Sequence, residues 1–159
     1  MNTSIKPITE ADRKWIKKIL EEYWESIEIV SLGKMYKADT LPGFIATVDN
    51  KKAGLVTYHI QNDSLEIITL NSLIEGVGIA TLLIKKIKYT AITNHCKRII
   101  VTTTNANSHA QKFYEKKGFI LKEIHKDAIE KARVLKPQIP LAEKNGILIK
   151  DEFEFEILF

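Results

Sequence analysis

Cysteine is almost missing from this chain. Its one thiol, Cys96, has no partner for an internal disulfide, which excludes a stapled fold and leads us to expect a reducing, cytoplasmic setting. Histidine is equally sparse. His59, His95, His109 and His125 fall at neither i,i+4 nor Cys-x-x-Cys spacing, so no metal site is expected. No apolar run approaches the ~20 residues of a membrane span, and Met1 to Thr9 lacks the apolar core of a signal peptide. Charge of one sign does not dominate: 24 Lys and Arg stand against 20 Asp and Glu, for a net charge of +4. That balance is too mild to demand nucleic acid. The lysines are dispersed, with no aromatic–basic stripe or recognition-helix pattern. There is no internal repeat and no low-complexity tract.

What is present suits a soluble mixed domain. A length of 159 residues is enough to bury a core without disulfides or a structural metal, and one domain spanning 1–159 is expected. Ser4 to Ile8 reads as a first strand. Thr9 and Asp12 form a plausible capping box before Ala11, Trp15, Ile16, Ile19, Leu20 and Tyr23, which recur at helical spacing. Ile27 to Leu32 reads as extended, and Leu41-Pro42-Gly43 as a turn. Phe44 to Val48 and Ala53 to Ile60 read as strands joined by a hairpin loop at Asp49 to Lys52. Leu65 to Asn71, apolar on both faces, reads as a central strand.

The remainder alternates between helix and strand. Ile79, Leu82, Leu83 and Ile87 mark a helix, and Arg98 to Thr103 is a β-branched strand. Asn107 can cap a helix carrying Ala110, Phe113 and Tyr114, which Gly118 ends in a left-handed conformation. Phe119 to Ile124 is a strand, Ala128 to Leu135 a short helix, and Pro137 to Pro140 a loop. Asp151 to Leu158 alternates cleanly, with Glu152, Glu154 and Glu156 on one face and Phe153, Phe155 and Ile157 on the other. The favoured reading is an acidic face in solvent and an apolar face in the core; the other is an acidic row that receives a cationic amine. The order of elements gives an α/β (α+β) sheet with helices on its faces.

Chemistry concentrates in two segments. A strand leads into Leu73-Ile74-Glu75-Gly76-Val77-Gly78-Ile79-Ala80-Thr81 and then a helix, an arrangement in which backbone amides and a helix N-terminus can meet a phosphate. The turn has neither the third glycine of a dinucleotide fingerprint nor the Gly-Lys-Ser/Thr of a Walker loop. About thirty residues on stands Asn107-Ser108-His109-Ala110-Gln111-Lys112-Phe113-Tyr114-Glu115-Lys116-Lys117-Gly118-Phe119. In this order and spacing the pair resembles the GNAT superfamily of N-acetyltransferases. The family's pyrophosphate loop reads Q/R-x-x-G-x-G/A and its later helix N-x-x-A-x-x-x-Y-x-x-x-G-F. The second pattern is met at every position and the first at Gly76 and Gly78, over a resemblance running from Phe44 to Phe119. Leu73 replaces the usual Gln or Arg, and Glu75 stands where a cation is frequent. Backbone amides are therefore expected to dominate the phosphate contacts. Lys85, Lys86 and Lys88 read as a solvated helix face rather than as a phosphate clamp. Arg133, Lys136-Pro137, Ile139-Pro140 and Asp151-Glu152 resemble the tail of a group of bacterial GNAT proteins.

The resemblance implies a GNAT-like fold: a central, mixed, mostly antiparallel sheet with a splayed parallel strand pair and helices on both faces. It implies acetyl-CoA as co-substrate, held by the backbone of Leu70, Asn71 and Ser72, by the loop Gly76, Val77, Gly78, Ile79, Ala80 and Thr81, and by Asn107, Ala110, Phe113 and Tyr114. The reaction implied is direct attack of an amine-bearing acceptor on the thioester. Tyr114 matches the family's tyrosine that donates to the leaving sulfur; its plain alternative is packing under the sheet. Asn107 is equally a helix cap. Glu66, on the strand feeding the loop and sharing a face with Ile68 and Leu70, is the candidate base, against an exposed strand end or a water relay. Asn71 could orient that water. The competing function is a non-catalytic acetyl-CoA-binding sensor or interaction module, favoured by the atypical Leu73 and Glu75. The acceptor is not named by the sequence, and the chain is expected to work as a monomer or homodimer.

Overall fold

The chain enters through β1 (Thr3–Pro7) and the capping box, in which Thr9 and Asp12 satisfy each other's amides and start a single 3-10 turn. This turn leads into α1 (Arg13–Trp24), whose Ile16, Ile19 and Leu20 are buried at the helical spacing expected. In this computed structural model, which describes residues 1–159, β2 (Glu28–Ser31) and β3 (Lys34–Lys37) pair only with each other. Their turn is Leu32-Gly33, both at positive φ, the two-residue geometry that matches strand twist. The sequence reading had β2 as an extended segment but did not foresee β3.

The main sheet holds β4 (Gly43–Val48), β5 (Lys51–Gln61), β6 (Ser64–Ser72), β7 (Arg98–Thr104), β8 (Ile120–His125) and β9 (Glu152–Leu158), with β1 at one edge. Its order is β1-β4-β5-β6-β7-β9-β8. Every neighbouring pair is antiparallel except β6 and β7, which gives the expected mixed, mostly antiparallel sheet. The C-terminal strand β9 is paired on both sides, by β7 and β8.

Two helices, α2 (Ile79–Thr93) and α3 (Ser108–Lys116), pack on one face. Their Ile79, Leu83, Ile84, Ile87 and Tyr114 join Leu65, Ile67, Val101 and Phe155 in the principal core. Burying one such aliphatic side chain contributes about 1.5–3 kcal/mol. Gly54 permits this approach, since a Cβ there would lie 2.4 Å from Ile79 Cγ2. On the other face α1 and the β2–β3 hairpin form a second core with Ile45, Leu55 and Ile68. The helix α4 (Ala128–Leu135) follows β8, and beyond its end Lys136 Nζ donates to the Glu28 carbonyl of the hairpin at 2.7 Å.

The parallel pairing is short. It joins Ser64–Ile67 to Arg98–Val101 and stops, although β6 continues to Ser72 and β7 to Thr104. The cause lies on the other side of β6. Thr57 pairs with Thr69 but Tyr58 with Ile67, so Ile68 is an extra residue, a β-bulge. A bulge bends its strand and resets the alternation of side chains. The strands splay beyond it, as the resemblance implied. The reset also corrects one expectation. Glu66 and Ile68 do share a face, but Leu70 packs with the α2 core instead. Asn71 then comes to the α1 side, where Trp24 Nε1 donates to its Oδ1 at 2.8 Å.

A candidate acetyl-transfer site at the strand splay

The loop between β6 and α2 is shaped for an anion. Gly76 and Gly78 take φ +77° and +76°, a region L side chains rarely adopt, and the space at both Cα atoms is open. Leu82 is the first amide of this stretch to donate within the protein, to the Gly78 carbonyl. The amides of residues 77–81 are therefore free, as the first turn of a helix leaves them. Such a cluster favours phosphate oxygens, so the residues present fit the pyrophosphate of a CoA thioester. Glu75 is exposed and Leu73 packs into the second core. The side chain of Ile79 is fully buried, so it offers only its amide. Ala80 is half-buried and Thr81 exposed. Of the α2 lysines, Lys85 is exposed, whereas Lys86 Nζ lies over the Phe44 and Tyr89 rings and Lys88 Nζ donates to the Lys117 carbonyl.

On the same face α3 supplies the second motif. Asn107 caps it, its Oδ1 accepting from Ala110 N at 3.1 Å. Phe113 and Ala110 are half-buried against the core. Tyr114 is 8% exposed and wedged among Phe113, Phe119 and Phe155. Phe155 pairs across the sheet with Val101, the last β7 residue in the parallel ladder. Tyr114 thus lies beneath the point where the strands part. Burial alone raises its phenol well above the ordinary value, which keeps the proton on the oxygen at neutral pH. Of the β6 candidates, Leu70 and Asn71 are half-buried beyond the bulge, and Ser72 is exposed with its hydroxyl on the Ile74 carbonyl.

The opposite face carries groups the sequence did not bring together. The hairpin roofs the lower end of β6, β7 and β9. Ser31 Oγ donates to Glu66 Oε2 and lies 2.8 Å from Thr102 Oγ1, while Tyr36 OH approaches Glu66 Oε1 at 3.5 Å. Leu32 N donates to Glu152 Oε1 at 3.1 Å. The expectation of a solvated acidic row is therefore overturned: Glu152 and Glu154 are 5% and 4% exposed, because the hairpin and β8 cover them. Burial raises the Glu66 carboxyl above its usual value and nearby Glu154 adds to this, against the pull of the Ser31 bond. Burial raises Glu152 too, offset in part by the Leu32 amide. Glu154 is held by His125 at 2.8 Å, Lys122 at 3.6 Å and Arg98 at 3.8 Å. Glu123, His125 and Glu154 could together hold a metal ion by distance, but the two cations beside Glu154 disfavour one.

A cavity of about 170 Å³ opens at the splay, walled by Ile68, Thr102, Thr103 and Thr104 of the diverging strands and by Trp24, Ser31, Asn107 and Glu152. Glu66 does not line it. That carboxylate borders a separate cavity of about 340 Å³ with Tyr36, His59 and Arg98, and Ser31 borders both. Sequence reasoning missed Ser31, Thr102 and Trp24; the only local hints were the Leu32-Gly33 turn and the threonine run of β7.

The comparisons with known proteins agree with this geometry. The sequence pattern of the acetyltransferase (GNAT) family matches residues 11–119. The uncharacterised protein YdhI of Bacillus subtilis (strain 168) is 38% identical over 150 residues, 94% of each chain. Among solved structures, a Bacillus subtilis acetyltransferase in complex with CoA superposes with a TM-score of 0.72 at 18% identity, over 99% of both chains. A GNAT family acetyltransferase from Elizabethkingia anophelis with acetyl-CoA bound gives 0.69 at 19% identity, again over 99% of both. No helix is long and apolar enough to cross a membrane. With the family pattern covering more than half its length, the chain belongs to the GNAT acetyltransferase family.

Proposed function

We propose that the protein transfers the acetyl group of acetyl-CoA to a primary amine by direct attack, with Tyr114 as the acid and Glu66 as the terminal base. The observation that carries this reading is the splay itself. It opens between free amides at the start of α2 and a lined cavity on the far face, with Tyr114 beneath its origin. Acetyl-CoA supplies the thioester, whose C–S bond breaks as the C–N bond forms. The phenol of Tyr114 donates its proton toward the departing sulfur. The amine's proton leaves through the hydroxyls that line the cavity. Thr102 and Ser31 stand in line with Glu66, whose carboxyl pKa is shifted upward by burial, making it a stronger proton acceptor than an ordinary glutamate. Leu73, one of the two residues that set the loop apart from the family pattern, packs into the second core rather than at the loop amides, which weakens the case for a sensor without turnover.

The test is Tyr114→Phe, which keeps the ring packing and removes only the hydroxyl. The expected result is a fall in kcat of roughly a hundredfold, in the range typical of lost acid catalysis, with acetyl-CoA affinity by calorimetry within twofold of the unmutated protein. An unchanged kcat would remove Tyr114 from the chemistry.

A further inference from the structure

The cavity at the splay has a charge pattern that acetyl transfer by itself does not call for. Its lining includes two carboxylates, Glu143 and Glu152, and no Lys, Arg or His, in a chain where basic residues outnumber acidic ones by 24 to 20. Lys136, which borders the adjoining cavity, is committed to the Glu28 carbonyl. Within the acidic row of β9, Glu154 and Glu156 are ion-paired with basic side chains, whereas Glu152 forms no salt bridge; its cross-strand neighbour His125 is bound to Glu154 instead. Glu152 is 5% exposed; its Oε1 accepts from the Leu32 amide, and Thr102 and the His125 ring lie near the same carboxylate. Thr104 points to the same end of the cavity: its Oγ1 is buried and has no hydrogen-bond partner. A buried carboxylate without a cation is costly, and a cationic ligand relieves that cost. An anionic group placed there would be repelled. The remaining wall, with the Trp24 indole, Val30 and Ile129, suits methylene groups and can face a cation with its ring.

Resting on the reading that this site acetylates a primary amine, we propose that the acceptor is a small alkylamine carrying a second cationic group, held by Glu152 and Thr104. The reacting nitrogen then sits at Ser31 and Thr102, where the proton leaves. Thr102 and Thr104 are two residues apart on one face of β7, roughly 6.5 Å at the usual strand rise, a span of about four methylenes. Transfer forms the C–N bond and breaks the C–S bond as above; the second ammonium takes no part and stays protonated.

Three acceptors of matched length decide the matter: 1,4-diaminobutane, butylamine and 4-aminobutyrate, assayed by thiol release at saturating acetyl-CoA. The expected order of kcat/KM is diamine, monoamine, then amino acid, with about tenfold at each step, the scale of a charge-assisted hydrogen bond. Glu152→Gln keeps an oxygen for the Leu32 amide. It should raise KM for the diamine about tenfold while leaving butylamine within twofold, and butylamine turnover also reports that the variant is folded. Equal use of the diamine and 4-aminobutyrate, or an equal loss for all amines in Glu152→Gln, overturns the proposal. If no amine is turned over, the acetyl-transfer reading fails on its own. Calorimetric titration of 1,4-diaminobutane into the CoA-loaded protein, or into the free protein if CoA does not bind, then decides the binding site. Heat that is lost in Glu152→Gln supports it, and no binding by the unmutated protein overturns it.

Discussion

On the α2–α3 face, β4, β5, β6, β7 and β9 contribute aliphatic and aromatic side chains to one cluster of 18 buried residues. On the opposite face three of those strands contribute the buried Glu66, Glu152 and Glu154 and the half-buried Thr102, and a hairpin joins Glu66, Thr102 and Glu152 through hydrogen bonds. The first face is held by area removed from water, a non-directional force that tolerates conservative exchange. The second holds carboxylates whose burial opposes folding, so its arrangement is directional and each group depends on a specific partner. The contrast teaches that one face is organised by packing and the other by specific polar partners. The splay at Ile68 and Thr102 joins the two faces, with the free loop amides and Tyr114 against the apolar side and the cavity against the polar one.

Substitutions sharpen this contrast by striking one face at a time. The largest effect is expected from Gly78→Glu, which forces an L side chain into the left-handed region and sets a carboxylate beside the free amides. Acetyl-CoA affinity by calorimetry should fall about a hundredfold or more, with the polar face untouched. Ser31→Ala acts only on the polar face. It removes the hydroxyl between the cavity and Glu66, so kcat should fall about tenfold while acetyl-CoA affinity stays put; a parallel loss of affinity would break the division of labour. The smallest effect is one of stability. The Glu66 carboxyl is raised in the folded state, so its contribution to stability is fully present below the ordinary glutamate pKa. It is lost as pH rises through the raised value. Glu66→Gln cannot lose it, so its Tm relative to the unmutated protein should climb between pH 4 and 7. A constant difference across that range would mean that Glu66 is not burdened by burial.

The two faces were not equally legible. The loop glycines, the Asn107 cap and the Tyr114 position lie within two contiguous segments, and local geometry dictates them: positive φ, an N-cap, a helical turn. The central place of Leu65 to Asn71 was legible for the same reason, because apolar residues on both sides leave a strand nowhere else to go. Glu66 was legible as a carboxylate on that strand, but its hydrogen bond to Ser31, which lines the cavity, was not visible. Regular alternation placed Leu70 beside it, and one extra residue at Ile68 moved Leu70 to the other side. The glutamates of β9 were misplaced by the same rule, since alternation separates two faces without saying what covers each.

The sequence by itself determined most of the elements, the family and the glycine loop, because each is written in residues close along the chain and enforced by backbone sterics. Only the tertiary structure decided which groups surround the cavity at the splay. Ser31 meets Glu66 across 35 residues and Thr102 across 71, and Leu32 meets Glu152 across 120. Contacts at such separations follow from which face the hairpin covers, and no local preference of Ser31, Leu32 or Glu152 encodes that choice.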